Sequence, residues 1–106
     1  MPEGFEVVAR VDELQDGDMR QVTAGGEDVV LARAGGEFYA VSGVCTHAEG
    51  YLDEGTVSGC EIVCPLHSGK FDLRTGAATW GPPVDPLTTY QVLVEGEDVL
   101  VGPPKA

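Results

Sequence analysis

The chain has 106 residues, 42% of them hydrophobic, and sets six Lys and Arg against eighteen Asp and Glu for a net charge of −12. That length fits a single domain, residues 1–106, built on one core, and apolar residues recur along all of it, which excludes a disordered chain. The acidic balance argues against nucleic acid and against an anionic membrane surface, both of which are bound through basic residues.

Helix signals are nearly absent, and fifteen glycines and seven prolines separate short β-rich runs, so the predicted elements are strands. Phe5 to Arg10 opens the series. Asp12 to Asp18 is an acidic connection with room for one helical turn. Met19 to Thr23 and Asp28 to Ala34 follow, and Gly35-Gly36 is a two-residue hairpin signal answered by Glu37 to Ser42. In that strand the alternation puts Phe38 and Ala40 on one face, Tyr39 and Val41 on the other. Thr56 to Val63 is predicted as a small hairpin turning at Ser58-Gly59. Lys70 to Leu73 and Ala77 to Thr79 make another, turning near Thr75-Gly76. The prolines of GPPVDP, residues 81–86, cannot donate ladder hydrogen bonds and rule out a central strand there. Leu87 to Val94 and Asp98 to Val101 form a last hairpin across Glu95-Gly96-Glu97, and the tail GPPKA is too short to be a domain. The sum is all-β: an antiparallel β-sandwich or barrel. A basal β part from residues 1–42 and 85–106 carries an inserted small subdomain, approximately residues 43–84.

No segment approaches about 18 uninterrupted apolar residues, so no membrane-spanning helix is expected. The start, MPEGFEVVAR, has no basic region followed by an apolar run, and a cytoplasmic, reducing compartment is expected. The three cysteines then read as metal ligands or inert thiols rather than disulfides.

The stretch CTHAEGYLDEGTVSGCEIVCPLH, residues 45–67, holds both histidines and all three cysteines. Cys45 and His47 are one residue apart, Cys64 and His67 two apart, and sixteen residues lie between the pairs. Thiolate and neutral imidazole are good ligands for iron and for zinc. Structural zinc usually places both cysteines before both histidines, whereas the order here is Cys-His, Cys-His. The tight Cys45-x-His47 spacing suits two neighbouring metal centres, with sulfur given to one and imidazole to the next. A [2Fe–2S] centre with two cysteines on one iron and two histidines on the other asks for this arrangement. A zinc-stabilised binding module is the competing possibility.

Cys45-Thr46-His47 with Cys64-Pro65-Leu66-His67 resembles the Rieske iron–sulfur motif, and the similarity continues through HSGKFDLRTG, residues 67–76, into the proline loop. The resemblance implies the Rieske fold and one [2Fe–2S] cluster. Its ligands would be Cys45 and Cys64 as thiolates on one iron, His47 and His67 as imidazoles on the other. It also implies that the transferred electron rests on the histidine-bound iron, that both imidazole edges reach the surface, and that Trp80 with Pro82 and Pro83 lids the cluster. An ordinary turn with a surface-packed Trp is the plainer alternative. High-potential members of the family carry two extra cysteines in the cluster loops, where this chain has Ala48-Glu49-Gly50 and Leu66. They also carry a Ser and a Tyr hydroxyl, where this chain has Gly69 and Phe71. Without those donors to sulfur, and in a field of −12, the potential is expected near the bottom of the range of about −150 to +300 mV.

A short, acidic, low-potential Rieske chain resembles the ferredoxin components of bacterial aromatic ring-hydroxylating dioxygenases. The resemblance implies a non-enzymatic carrier of single electrons from an NAD(P)H-dependent flavin-containing ferredoxin reductase to a terminal oxygenase. A monomer forming transient complexes is expected. A permanently seated small subunit of a larger redox enzyme, such as nitrite reductase, is the alternative. Once His47 and His67 are ligands, no imidazole remains for an oxygen-activating iron. Cys60, predicted to share a strand face with Ile62 and Cys64 and to lie about 13 Å from Cys64 at 3.3 Å per residue, reads as a buried spectator thiol. Tyr51 and Leu52 are expected to pack beneath the cluster and Lys70 to pair with a carboxylate. Glu49, Asp53 and Glu54 would either meet a basic partner or form a solvated face.

Overall fold

The computed structural model describes residues 4–43, 56–63, 70–80 and 87–105. Among the described residues, ten strands form two antiparallel sheets. The larger contains β1 (Glu6–Arg10), β2 (Met19–Ala24), β3 (Glu27–Ala34), β4 (Glu37–Ser42), β9 (Thr89–Glu95) and β10 (Asp98–Pro104), in the order β1-β10-β9-β4-β3-β2. The smaller is the meander β5 (Thr56–Ser58), β6 (Glu61–Val63), β7 (Lys70–Asp72) and β8 (Ala78–Trp80), which falls between β4 and β9 in the chain. The all-β architecture expected from sequence is observed. A single 3-10 turn, Val11–Glu13, occupies the acidic connection after β1.

The large sheet curls until its edges meet. Ala9 of β1 and Ala24 of β2 lie in one buried cluster with Val29, Leu31, Ala40, Val99 and Val101, and the Gly25 N–H donates to the Glu6 carboxylate at 3.2 Å. Closure of this kind covers the strand edges that would otherwise invite pairing with other chains. Alternation along β3 serves two cores at once. Val29 and Leu31 point into the barrel. Val30, Ala32 and Ala34 point out, where with Val41 they meet Ile62, Phe71, Leu73 and Leu87. Val29 to Ala32 are therefore buried without a break, the pattern of a strand covered on both faces. β4 divides as its sequence predicts, Phe38 and Ala40 with the barrel core, Tyr39 and Val41 with the second core.

Several strand ends shift by one or two residues from expectation, and two differences change which residues turn or pair. The β5–β6 hairpin turns at Gly59-Cys60, with Ser58 paired to Glu61; Gly59, at φ +60°, takes the first central position that requires a left-handed backbone. The tail is also structural. β10 continues past Val101 through a bulge, Pro104 pairs with Tyr90, and the Lys105 N–H donates to the Thr89 carbonyl at 2.8 Å. β1 has already ended opposite Val101, so the two prolines withhold no donor from a neighbour on that side.

Arg33 pins the backbone of the acidic connection. Arg33 donates from one guanidinium nitrogen to the carbonyls of Val11 (3.1 Å) and Leu14 (2.7 Å) and stacks 5.0 Å from the Phe38 ring centroid. No described residue forms a helix long and apolar enough to cross a membrane.

Candidate metal centre

The small sheet has an open end and a closed end. Register pairs Thr56 with Val63, Val63 with Lys70, and Lys70 with Trp80, so these four residues form one row across the sheet. The turns at Gly59-Cys60 and at 73–77 lie at the opposite end. Residues 44–55 therefore rejoin the sheet at this row, residues 64–69 leave and return within it, and residues 81–86 depart from it. At the barrel, the other attachments also lie side by side. The Ser42 N–H donates to the Thr88 carbonyl at 2.8 Å and the Gly43 N–H to the Asp28 carbonyl at 3.0 Å.

The predicted ligands Cys45, His47, Cys64 and His67 lie outside the described residues, as do Glu49, Tyr51, Leu52, Asp53, Glu54, Gly69, Pro82, Pro83 and the side chain of Trp80. The described residues nevertheless limit where a metal centre can be. Among them, no group of three or more His, Cys, Asp or Glu is placed to hold a metal ion. Both histidines and two of the three cysteines belong to the two stretches that attach along the open row. Two thiols and two imidazoles are the donor set of a Rieske [2Fe–2S] cluster, and the chemistry of the residues present fits that group.

Cys60 is placed differently from expectation. It sits in the turn at the closed end, half-buried against the second core, and does not share a strand face with Ile62. A two-residue hairpin leaves no strand position for it. Its carbonyl accepts from the Leu73 N–H at 2.8 Å. The Tyr39 hydroxyl is close by; burial first, then the neighbouring Cys60 and Glu37, push that phenol above its ordinary value. Lys70 makes no ion pair with a described residue; the carboxylates Glu49, Asp53 and Glu54 lie outside the described residues. Phe71, where the resemblance places a Tyr hydroxyl in high-potential members, is fully buried in the core shared with β3 and β4.

Sequence patterning did not single out the closed end as a structural lock. Asp72 accepts from the Arg74 backbone N–H at 2.8 Å and from its guanidinium at 3.1 and 3.2 Å. The Arg74 side chain is the main reason the Asp72 carboxyl is held below its ordinary value of 3.8. A depressed carboxylate value contributes stability that is complete above the ordinary value and is lost as pH falls through the lowered one. The protein is therefore expected to lose part of its thermal stability below about pH 4, and Asp72→Asn to shrink that loss. Melting temperatures measured across the acid range check this; an Asp72→Asn protein with the same acid dependence as wild type would contradict it.

The family model of the Rieske [2Fe-2S] domain matches residues 4–91. The chain belongs to that family. Among its Rieske relatives, the biphenyl dioxygenase ferredoxin subunit of Pseudomonas sp. strain KKS102 is 41% identical over 98 residues, which cover 92% of this chain and 90% of that protein. The ferredoxin of carbazole 1,9a-dioxygenase from Nocardioides aromaticivorans IC177 is 43% identical and superposes with a TM-score of 0.91, over 95% of this chain and 99% of that one. A chain in the complex of reduced oxygenase and oxidized ferredoxin of carbazole 1,9a-dioxygenase is 33% identical with a TM-score of 0.89, over 95% of this chain and 94% of its own. This Rieske protein has one [2Fe–2S] cluster as its resident cofactor, and it is an electron-transfer protein rather than an enzyme.

Proposed function

We propose that this chain is the ferredoxin component of an aromatic-ring oxygenase system. It is a cytoplasmic carrier that receives single electrons from an NAD(P)H-dependent flavin reductase and delivers them to a terminal oxygenase. The observation that carries this reading is identity of 41–43% with dioxygenase ferredoxins over more than nine-tenths of this chain and at least nine-tenths of theirs. Cys45 and Cys64 would hold the cluster as thiolates, and His47 and His67 as neutral imidazoles. When bound, the cluster supplies a centre that takes up and releases one electron.

The remaining residues tune and present that centre. Phe71 stands where high-potential relatives place a Tyr hydroxyl. Its buried ring offers no donor to a cluster or ligand sulfur, which supports a potential low in the Rieske range. The −12 net charge disfavours adding an electron and gives the carrier a field that attracts basic partner surfaces. The experiment is reconstitution. With a matching flavin reductase and terminal oxygenase, substrate hydroxylation should depend on adding this protein and should saturate with its concentration. Turnover that is the same without it would refute the carrier role. Co-elution with one large enzyme through gel filtration would favour a fixed subunit instead.

A further inference from the structure

A cavity of about 430 Å³ opens at the end of the large sheet where the chain departs at Gly43 and returns at Leu87. Its walls include Thr88 and Tyr90 of β9, Pro103 and Pro104 of β10, the backbone of Gly25, and Glu27 at the start of β3. The aromatic and proline rings make an apolar wall, and Glu27 is the formal charge among the lining residues. Glu27 is near enough to Tyr90 that its charge, after burial, helps hold the phenol above its ordinary value. A second carboxylate, that of Glu6, stands at the rim through its bond from Gly25. Among the described residues no Lys or Arg forms an ion pair with Glu27.

A carboxylate beside an aromatic face is suited to a flat cation. A guanidinium can give its N–H fork to the carboxylate while its plane lies on the ring; an ammonium makes only the first contact well. An anionic or purely apolar occupant would leave Glu27 uncompensated or desolvated. We propose that this cavity receives one arginine side chain of the terminal oxygenase and so fixes that partner beside the junction between barrel and inserted residues. The proposal rests on the electron-carrier reading and adds an anchoring point on the large sheet. Charge complementarity with an acidic carrier and the neighbouring departure point of the cluster-bearing chain support the oxygenase as the source.

Two measurements test it. Arginine ethyl ester, which presents a guanidinium and no carboxylate, is titrated into the holo-protein while the amide resonances of Gly25, Thr88 and Tyr90 are followed. Saturable shifts are expected, several-fold weaker with lysine ethyl ester and lost in Glu27→Gln. Glu27→Lys, with its visible spectrum unaltered, is expected to raise the KM for ferredoxin in oxygenase turnover about tenfold, the scale of one ion pair plus one cation–π contact. kcat and the KM towards the reductase should hold. No saturable shift in wild type, an unchanged oxygenase KM, or an effect confined to the reductase overturns the proposal. If wild type drives no oxygenase at all, the functional reading fails, and the ester titration still decides the cavity.

Discussion

His67→Ala protein is expected to purify without the brown-red colour of a Rieske centre and without acid-labile sulfide, whereas Cys60→Ser keeps both. The chain has only two histidines, so no other imidazole can replace the one removed, and alanine offers the iron no donor. The expected effect is close to total, because a cluster held by four protein ligands is not retained as a native centre by three. Cys60 is the control that gives the result its meaning. It sits in the turn at the closed end of the small sheet, opposite the row to which both donor-bearing stretches attach. Visible absorbance, sulfide content and the EPR spectrum of the reduced protein decide the matter. A colourless Cys60→Ser protein, or a native spectrum from His67→Ala, would show the proposed ligand set to be wrong.

Gly76→Ala should be the most damaging small substitution among the described residues. Gly76 has φ +80°, where an L side chain is strained by roughly 1–2 kcal/mol. A Cβ built there would lie 2.1 Å from the Leu87 carbonyl oxygen. That oxygen belongs to a backbone held in place, since the Leu87 N–H donates to the Gly76 carbonyl at 2.7 Å and the Gly76 N–H to the Asp72 carbonyl at 2.7 Å. Relief requires moving the segment that re-enters the barrel, with Leu87 withdrawn from the second core. A loss of about 3 kcal/mol or more is expected, out of a total of about 5–15 kcal/mol for a domain of ordinary stability. Urea denaturation should show the midpoint falling by about 1–2 M. Gly96→Ala supplies the comparison: φ there is +61° and nothing lies within 4 Å of the added carbon, so it reports the backbone strain without the collision. Equal losses in the two variants would refute the role given to the Leu87 contact.

The parts of the fold legible in sequence were those with short-range causes. Gly35-Gly36 sets a hairpin because two residues suffice to reverse the chain, and the register Ala34 to Glu37 follows. The alternation in β4 foretold which residues enter which core, because side chains in a strand point to opposite faces. Differences from expectation arose where a pairing that the residue pattern does not show decides the conformation, whether that partner is three residues away or many. The tail residues Pro103 and Pro104 have poor strand propensity, yet the ladder to β9 and the bulge after Val101 carry them into β10. Cys60 looked like a strand residue because Ile62 and Cys64 follow at even spacing, but the pairing of Ser58 with Glu61 assigns it to the turn. Arg33 gave no local sign of its task, since the carbonyls it binds are nineteen and twenty-two residues away.

The order and spacing of two thiols and two imidazoles, the lack of a cysteine at positions 48–50 and 66, and the lack of a hydroxyl at Gly69 and Phe71 are properties of the linear chain. They determined the kind of cluster and the expectation of a low potential, because ligand chemistry depends on which atoms are available. What the chain alone left open was where those donors attach. Burial of Ile62, Phe71, Leu73 and Leu87 against the outer face of β3 docks the small sheet on the barrel, and its register sets Thr56, Val63, Lys70 and Trp80 in one row. That register brings the attachment points of residues 44–55 and 64–69 together and sends Cys60 to the far end, while only the long-range packing seats the small sheet on the barrel. Such packing is fixed by apolar surface removed from water between segments distant in sequence, which no local pattern encodes.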